Sequence, residues 1–243
     1  MIMEFFPKPN LPDRPVKGVI IDCRADRETI ESLEKRGIEP ILSYQSDNLH
    51  PAICSHPDMT IAHLGGNRFI CAPDAYGYYK SVLQNAEIIK GAVDIKPEYP
   101  HDVTYNITLL GGFAFMNTAT EQPKVFGGGE IINVRQGYTK CSICIVSKNA
   151  IITADKGIAR AAQENNMDVL LISPGNIELP GMDYGFIGGV AGLIAPDTLA
   201  VNGDISAHPD CEAITRFCAD RGVKITPLKS GVIRDIGSIL PIY

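Results

Sequence analysis

The sequence predicts a single α/β domain over residues 1–243, a ring of five pseudo-repeats ordered strand–strand–helix–strand, with residues 1–15 as an N-terminal tail. The first observation behind this prediction is a similar unit that recurs along the chain. The second is that four copies open with two short apolar segments around a turn. The third is a fifth unit divided between the two chain ends, which closes a ring without an open edge. The equivalent positions, spaced 44, 39, 48 and 46 residues apart, are Asp58, Asp102, Cys141, Gly189 and Asp235.

The paired apolar segments predict a hairpin at the start of each unit. HPDMTIAHLGGNRFICAP resembles PHDVTYNITLLGGFAFMN, and both contain a Gly-Gly pair at the same offset, Gly65-Gly66 and Gly111-Gly112. Glycine suits a hairpin turn that needs a positive φ. The third and fourth units turn at Lys148-Asn149 and Pro196-Asp197.

Helical periodicity follows three of the first four hairpins, and two of these helices lead into the short strands VLLIS and VKITP. The predicted helices cover residues 76–86, 156–166 and 211–220. The fifth unit supplies its first strand as IRDIGSILPI at the C-terminus. Its remaining parts are VKGVIID, a helix over residues 25–36 and IEPILS at the N-terminus, so the segment 16–43 is expected to pack against 232–242.

Composition and charge narrow the class of function. The net charge of -6 and the pI near 5.4 provide no basic surface, so we expect neither nucleic acid nor an anionic membrane as a partner. The chain shows no signal-peptide pattern and no apolar run approaching the ~20 residues of a membrane span, which predicts a cytoplasmic protein. Seven scattered cysteines are typical of buried thiols rather than of a disulfide framework.

Five segments carry a resemblance to a known family. VRQGYTKCSICIV, DKGIAR, DYGFIGGVAG, GDISAHPD and DIGSILP resemble an uncharacterised bacterial family of unknown function that has the pentein fold of guanidino-group-modifying enzymes. The resemblance spans nearly the whole chain. It implies a five-bladed, pseudo-symmetric α/β propeller closed by pairing of the N- and C-terminal segments.

The characterised pentein enzymes have acidic residues that grip a guanidinium, a histidine, and a nucleophilic cysteine near the C-terminus. This sequence departs from that pattern. It has Arg234-Asp235-Ile236 where the cysteine is expected, and Thr139-Lys140-Cys141 where the histidine is expected. The resemblance therefore implies the fold without carrying over the catalytic residues.

The equivalent positions are expected to meet in one central pocket, because the first strand of each blade lines the axis of such a ring. They place Asp58, Asp102, Cys141 and Asp235 there, with Gly188 and Gly189 leaving room. Three carboxylates in one pocket repel, so either one holds a proton or a cation lies among them. A small guanidino or amino compound would satisfy them. The alternative is that each aspartate accepts backbone N–H groups at the start of a strand.

Cys141 is the candidate nucleophile, provided that His56 or His101 promotes its thiolate. The alternative is a buried thiol on an apolar strand, with Cys144 on the opposite strand face. We predict a protein that binds a small cation without catalysis. The other hypothesis is a guanidino- or amidino-modifying hydrolase or amidinotransferase-like enzyme that uses Cys141. No metal and no cofactor are predicted.

Two further motifs have less specific roles. The glycine run over residues 127–129, between Phe126 and Glu130, either lets backbone approach a ligand and directs Glu130 at it, or is a flexible connector. The tripeptide His-Pro-Asp occurs at residues 56–58 and again at 208–210. The first copy precedes an inner strand, whereas in the second Asp210 is predicted to cap the helix that follows.

Overall fold

The computed structural model describes residues 4–121 and 129–243. The described strands, in chain order, are β1 (Gly18–Ile21), β2 (Glu39–Leu42), β3 (Ile61–Gly65), β4 (Arg68–Cys71), β5 (Glu87–Lys90), β6 (Thr108–Leu110), β7 (Phe113–Met116), β8 (Glu130–Asn133), β9 (Cys144–Ser147), β10 (Ala150–Thr153), β11 (Asp168–Leu171), β12 (Ala191–Ala195), β13 (Thr198–Val201), β14 (Lys224–Pro227) and β15 (Leu240–Pro241). The helices are α1 (Arg27–Lys35), α2 (Pro57–Thr60), α3 (Tyr76–Val82), α4 (Thr139–Ser142), α5 (Lys156–Glu164) and α6 (Cys211–Ala219), with a 3₁₀ turn at Ile205–Ala207.

The strands form five three-stranded sheets with one shared pattern. In each sheet the first strand pairs antiparallel with the second, and the second pairs parallel with the third. Within the described residues, a helix connects the second strand to the third in four sheets, and the connection from β7 to β8 includes residues 122–128, outside the described ranges. A parallel pair requires such a crossover, which explains the order strand–strand–helix–strand. The predicted pseudo-fivefold, propeller-like arrangement of blades is confirmed.

The blade formed by β15, β1 and β2 joins the two ends of the chain. Val19 lies opposite Pro241 and Ile20 opposite Leu240 across the antiparallel pair. The N–H groups of residues 17 and 18 both donate to the carbonyl of Tyr243. The predicted closure is confirmed, although the final strand covers only Leu240–Pro241 instead of most of 233–242. The tail joins the same blade, since the buried Phe6 donates its N–H to Ile242 O at 3.1 Å.

The glycine pairs occupy the hairpin turns as predicted. Gly65 and Gly66 have φ of 101° and 58°, and Gly111 and Gly112 have φ of 62° and 92°. Residues with a Cβ rarely adopt these values, so the turn between the first and second strands of two blades depends on glycine.

Cys141 does not lie on a strand, which corrects the sequence prediction. It belongs to the helical turn α4 that precedes β9, as Asp58 belongs to the equivalent turn α2 that precedes β3. Asn106 stabilises the turn, because its Oδ1 accepts a hydrogen bond from the N–H of Lys140 at 2.7 Å. Because the two residues are far apart in sequence, the periodicity of a short segment does not reveal this contact.

The apolar core lies between neighbouring blades. One large cluster joins β9 and β10 to β12 and β13, and a second surrounds β3, β4 and the end of the chain. Cys141 belongs to the second cluster and Cys144 to the first, so the two thiols face different parts of the core. Among the helices that the structure describes, none combines the length and the apolar character needed to cross a membrane.

Candidate functional site

The segments that lead into the first strands bring four of the predicted residues together. Cys141 Sγ donates to Asp58 Oδ2 at 3.1 Å. His56 lies between two carboxylates, with Nδ1 3.8 Å from Asp235 Oδ1 and Nε2 3.7 Å from Asp22 Oδ2. All of these side chains are buried. The residues therefore converge from three blades, but at the ends of their first strands and not on the strands themselves.

A cleft of about 260 Å³ opens directly above this group. We call it the Asp235 cleft. His56, Cys141 and Asp235 form its base, and Asp183 provides a carboxylate at the rim. The walls consist of aromatic rings and apolar side chains, those of Tyr138, Tyr184, Phe186, Ile53, Met59, Leu179 and Met182.

Three aromatic rings form one wall of the Asp235 cleft. Phe186 stacks on Tyr138 with ring centroids 6.0 Å apart and meets Tyr184 edge-on at 6.3 Å. Tyr184 is 45% exposed and stands at the rim, near the exposed Asp183. Among the described residues, the lining contains two carboxylates and neither lysine nor arginine. Such a surface has a negative potential that attracts cations.

Asp235 is fixed at the base of the cleft by backbone donors. Its Oδ2 accepts from the N–H of Phe186 at 2.8 Å, and its Oδ1 accepts from the N–H of Gly237 at 2.9 Å. Burial raises the pKa of this carboxyl group, and the neighbouring Asp58 adds to the rise, whereas His56 opposes it. A cation in the cleft would stabilise the ionised form.

The thiol of Cys141 is held in its protonated form. Burial raises the pKa of Cys141 well above its usual value, and Asp58 and Asp235 raise it further. Asn106 acts in the other direction, since its Nδ2 donates to Cys141 Sγ at 3.1 Å. This thiol is therefore a poor nucleophile near neutral pH.

A buried lysine and a serine complete the group, and both were missed from the sequence. Lys140 Nζ donates to Ser238 Oγ at 3.0 Å, and Ser238 Oγ donates in turn to Asp58 Oδ2 at 2.6 Å. Burial lowers the pKa of Lys140, while Asp58 is the strongest influence in the opposite direction. The ring thus contains a buried amine beside its central carboxylates.

The other predicted site residues lie outside the cleft. Asp102 is buried and accepts a hydrogen bond from the hydroxyl of Tyr138, so it supports the aromatic wall from behind; burial raises its pKa. His101 is exposed in the turn that precedes Asp102. Glu130 is exposed at the start of β8, the third strand of its blade. Most of the glycine run before it, residues 127–128, lies outside the described residues.

Gly188 and Gly189 do not leave open room for a ligand, contrary to the sequence prediction. A Cβ on Gly189 would collide with the carboxylate of Asp235, and one on Gly188 would collide with the carbonyl oxygen atoms of α4. Gly189 instead donates its N–H to Cys141 O at 2.9 Å. The two glycines allow α4 and Asp235 to pack closely against one backbone segment.

The second His-Pro-Asp copy has a separate role. Asp210 occupies the N-cap position of α6, but its side chain makes no capping hydrogen bond. Its Oδ2 accepts from the N–H of Ser173 at 2.6 Å, across to the neighbouring blade. The predicted helix start is correct. The carboxylate of Asp210, however, connects two blades instead of capping the helix.

Sequence signals for some of the missed residues were present. The segment DYGF, which contains Asp183, Tyr184 and Phe186, is part of a segment that carries the family resemblance. The repeat spacing did not place it at the central axis of the ring. Lys140 directly precedes Cys141, which the repeat spacing placed in the central pocket, where a charged side chain is unusual. Ser238 follows Gly237 and has a φ of 76°, a strained conformation that sequence alone does not reveal.

One group of side chains has the composition of a metal site. A ring nitrogen of His56, a carboxylate oxygen of Asp58 and Cys141 Sγ all lie within 4.8 Å of one another.

Residues 20–240 match the model of a family described as a family of unknown function (DUF6873). No curated protein matches the sequence.

Solved structures share the fold at low sequence identity. An inosamine-phosphate amidinotransferase from Streptomyces griseus is 11% identical, with a TM-score of 0.59 over 96% of this chain and 95% of that one. Agmatine deiminase from C. jejuni is 11% identical, with a TM-score of 0.55 over 91% and 90%. DDAH from Pseudomonas aeruginosa, in a complex with citrulline, is 9% identical, with a TM-score of 0.54 over 88% and 92%. These matches establish the pentein fold.

Proposed function

The chain belongs to the family of unknown function DUF6873, and we propose that this pentein-fold protein binds a small organic cation, an amine, amidine or guanidine, in the Asp235 cleft. The observation that carries the proposal is the lining of the cleft. It combines Asp183 and Asp235 with three aromatic rings, and no lysine or arginine of the described part of the chain belongs to it.

The physical fit follows from this lining. An ammonium or guanidinium over an aromatic face gains about 0.5–2 kcal/mol, with the larger value where water is excluded. A guanidinium also forms paired hydrogen bonds with a carboxylate. Because backbone N–H groups hold the Asp235 carboxylate, it needs little reordering to accept such a ligand. Asp183 at the rim would attract the cation as it approaches.

The structural neighbours support a guanidine or amidine within this class of cations. Their names describe an amidinotransferase and an agmatine deiminase. Since the shared property is the fold, the ligand class for this chain is a proposal that depends on the lining of its own cleft.

The test is isothermal titration calorimetry with agmatine, with N-butylurea as a neutral analogue and succinate as an anionic one. We expect agmatine alone to bind. Asp183→Asn should weaken that binding by about 5- to 10-fold, because it removes one charge at the rim. Asp220→Asn, which removes an exposed carboxylate at the end of α6, is the matched control and should leave the affinity unchanged. Equal binding of N-butylurea, or equal loss in both variants, would reject the proposal.

A cysteine-dependent enzyme is the second candidate function. It is favoured by the position of Cys141, which lines the same cleft as His56 and Asp235. The candidate reaction is attack of the thiolate on a guanidinium or amidinium carbon, which expels ammonia or an amine, followed by transfer of the carbon group to water or another amine. The assay is ammonia release from agmatine by the full chain. Turnover that is absent from Cys141→Ala and retained in Cys144→Ala would establish this function.

A further inference from the structure

We propose that His56, Asp58 and Cys141 bind a divalent transition-metal ion of the zinc type, with a fourth coordination position open to the Asp235 cleft. This inference goes beyond the binding of an organic cation. It concerns the buried group beneath the cleft, including Asp58, which is not part of the cleft lining.

The distances between the donor atoms are close to those that zinc requires. Zinc bonds of about 2.0–2.3 Å place the ligand atoms of a tetrahedral ion roughly 3.3–3.8 Å apart. One donor atom from each of His56, Asp58 and Cys141 lies within 4.8 Å of the other two, and Cys141 Sγ is 3.1 Å from Asp58 Oδ2. Small side-chain rotations would open the space for an ion between them.

Unpartnered atoms provide an independent reason to expect a ligand. Within the described residues, His56 Nδ1 and Asp58 Oδ1 are buried and have no hydrogen-bond partner. His56 and Asp58 are each only 1% exposed. A buried polar atom without a partner is unfavourable, and coordination to a metal would remove that penalty at Asp58.

The residues around the donors have the arrangement of an outer coordination shell. Asp22 lies 3.7 Å from Nε2 of His56, and Asp235 lies 3.8 Å from Nδ1. Whichever of these two nitrogen atoms binds the metal, a carboxylate therefore lies close to the remaining one. Ser238 donates to Asp58 Oδ2. Asn106 donates to Cys141 Sγ. Such contacts orient metal ligands and tune their basicity.

The charges also balance. Binding forms a metal–sulfur bond in place of the S–H bond of Cys141, and the proton leaves to solvent through the cleft. The ion then carries two positive charges beside the thiolate and the carboxylate of Asp58.

The donor set selects the type of metal. Magnesium and calcium prefer oxygen ligands, whereas a thiolate with an imidazole suits zinc and its neighbours. Three protein ligands and one open position are typical of zinc sites that exchange a water molecule for a ligand. His56 and Cys141 both line the Asp235 cleft, so the open position faces it.

The test uses the full chain, freed of metal by a chelator and then titrated with Zn²⁺ against a chromophoric competitor. We expect one equivalent to bind. Cys141→Ser and Asp58→Asn should each weaken binding by more than about 100-fold, since each removes a direct ligand. Cys144→Ala is the matched control, a buried thiol in the other core cluster, and should retain the affinity of the unaltered protein.

Two further measurements use the unaltered protein and so do not depend on the folding of a variant. Co²⁺ should produce a near-ultraviolet thiolate-to-metal absorption band, and Zn²⁺ should protect Cys141 from alkylation. A stoichiometry of zero, no Co²⁺ band, or equal affinity in Cys141→Ser would overturn the proposal. Asp183→Asn should weaken agmatine binding and leave Zn²⁺ binding intact, so the two proposals fail separately.

Discussion

The thiol of Cys141 donates a hydrogen bond to Asp58 Oδ2 at 3.1 Å although 83 residues separate them. Each residue belongs to a helical turn three residues before the first strand of its blade. The contact therefore joins equivalent positions of blades that are not adjacent in sequence. It places a protonated thiol, and not a thiolate, at the base of the Asp235 cleft.

Alkylation of Cys141 should be slow at neutral pH and should accelerate with rising pH. Because the pKa of Cys141 is raised, the thiolate fraction increases about tenfold for each pH unit below that pKa. Iodoacetamide labelling of metal-free protein, followed by mass spectrometry, measures this rate. The partly exposed Cys211 is the reference in the same sample. Rapid labelling of Cys141 at pH 6, abolished by His56→Ala or by His101→Ala, would indicate an activated nucleophile instead.

Gly189→Ala should destabilise the protein by about 3 kcal/mol, because its new methyl group would collide with the carboxylate of Asp235. Gly77→Ala is the matched control. Gly77 is exposed in α3 with nothing within 4 Å of a Cβ, so alanine should stabilise the helix by about 0.5–1 kcal/mol. Urea denaturation of both variants measures the changes. A similar effect in both would refute the close packing at Gly189.

His63 should make the protein less stable as the pH falls from about 6.5 to about 4. Burial lowers the pKa of His63 to about 4, while its Nε2 lies 2.8 Å from Gly66 O. Between these pH values the unfolded chain binds a proton that the folded chain does not. The contribution to the free energy of unfolding is complete above pH 6.5 and decreases by about 3 kcal/mol on acidification to pH 4.

The comparison that isolates His63 is the difference in unfolding free energy between the unaltered protein and His63→Gln at several pH values. Glutamine preserves a donor for the Gly66 carbonyl and does not titrate. The difference should shift in favour of the variant as the pH decreases. A difference that does not change with pH would contradict the prediction.

Deleting residues 232–243 should unfold the whole protein. The deletion removes β15 together with Ile239 and Ile242, which are fully buried, and leaves β1 with an open edge. Circular dichroism of the truncated chain should therefore show no cooperative melting transition. A truncated chain that melts like the full one would refute the closing role of this blade.

The sequence was most informative where local chemistry determines structure. Gly65-Gly66 and Gly111-Gly112 marked hairpins because few other residues tolerate a positive φ. The division of one unit between the chain ends predicted the pairing of β1 with β15. The helices α1, α3, α5 and α6 agree with the predicted segments to within a few residues at their ends.

The candidate site was only partly predictable, because it depends on contacts between distant residues. The shared spacing identified Asp58, Cys141 and Asp235, which do meet. It did not reveal that Asn106 holds α4 in a helical turn, or that Lys140 points inward to Ser238. It also grouped Asp102 with the cleft, whereas its carboxylate supports Tyr138 from behind. Periodicity gives the position of a residue in a repeat, but not the direction of its side chain at the end of a strand.

The shared blade has a consequence for biosynthesis. A ribosome makes β1 before the four other blades and its partner β15 after them. At about 5–20 residues per second, on the order of 10 to 40 s pass between the two. During this time the nascent chain exposes the apolar edge of GVII, and the four other blades can form on the ribosome. Closure of the ring therefore becomes possible only after the four other blades have been synthesised, which makes it a late step of folding.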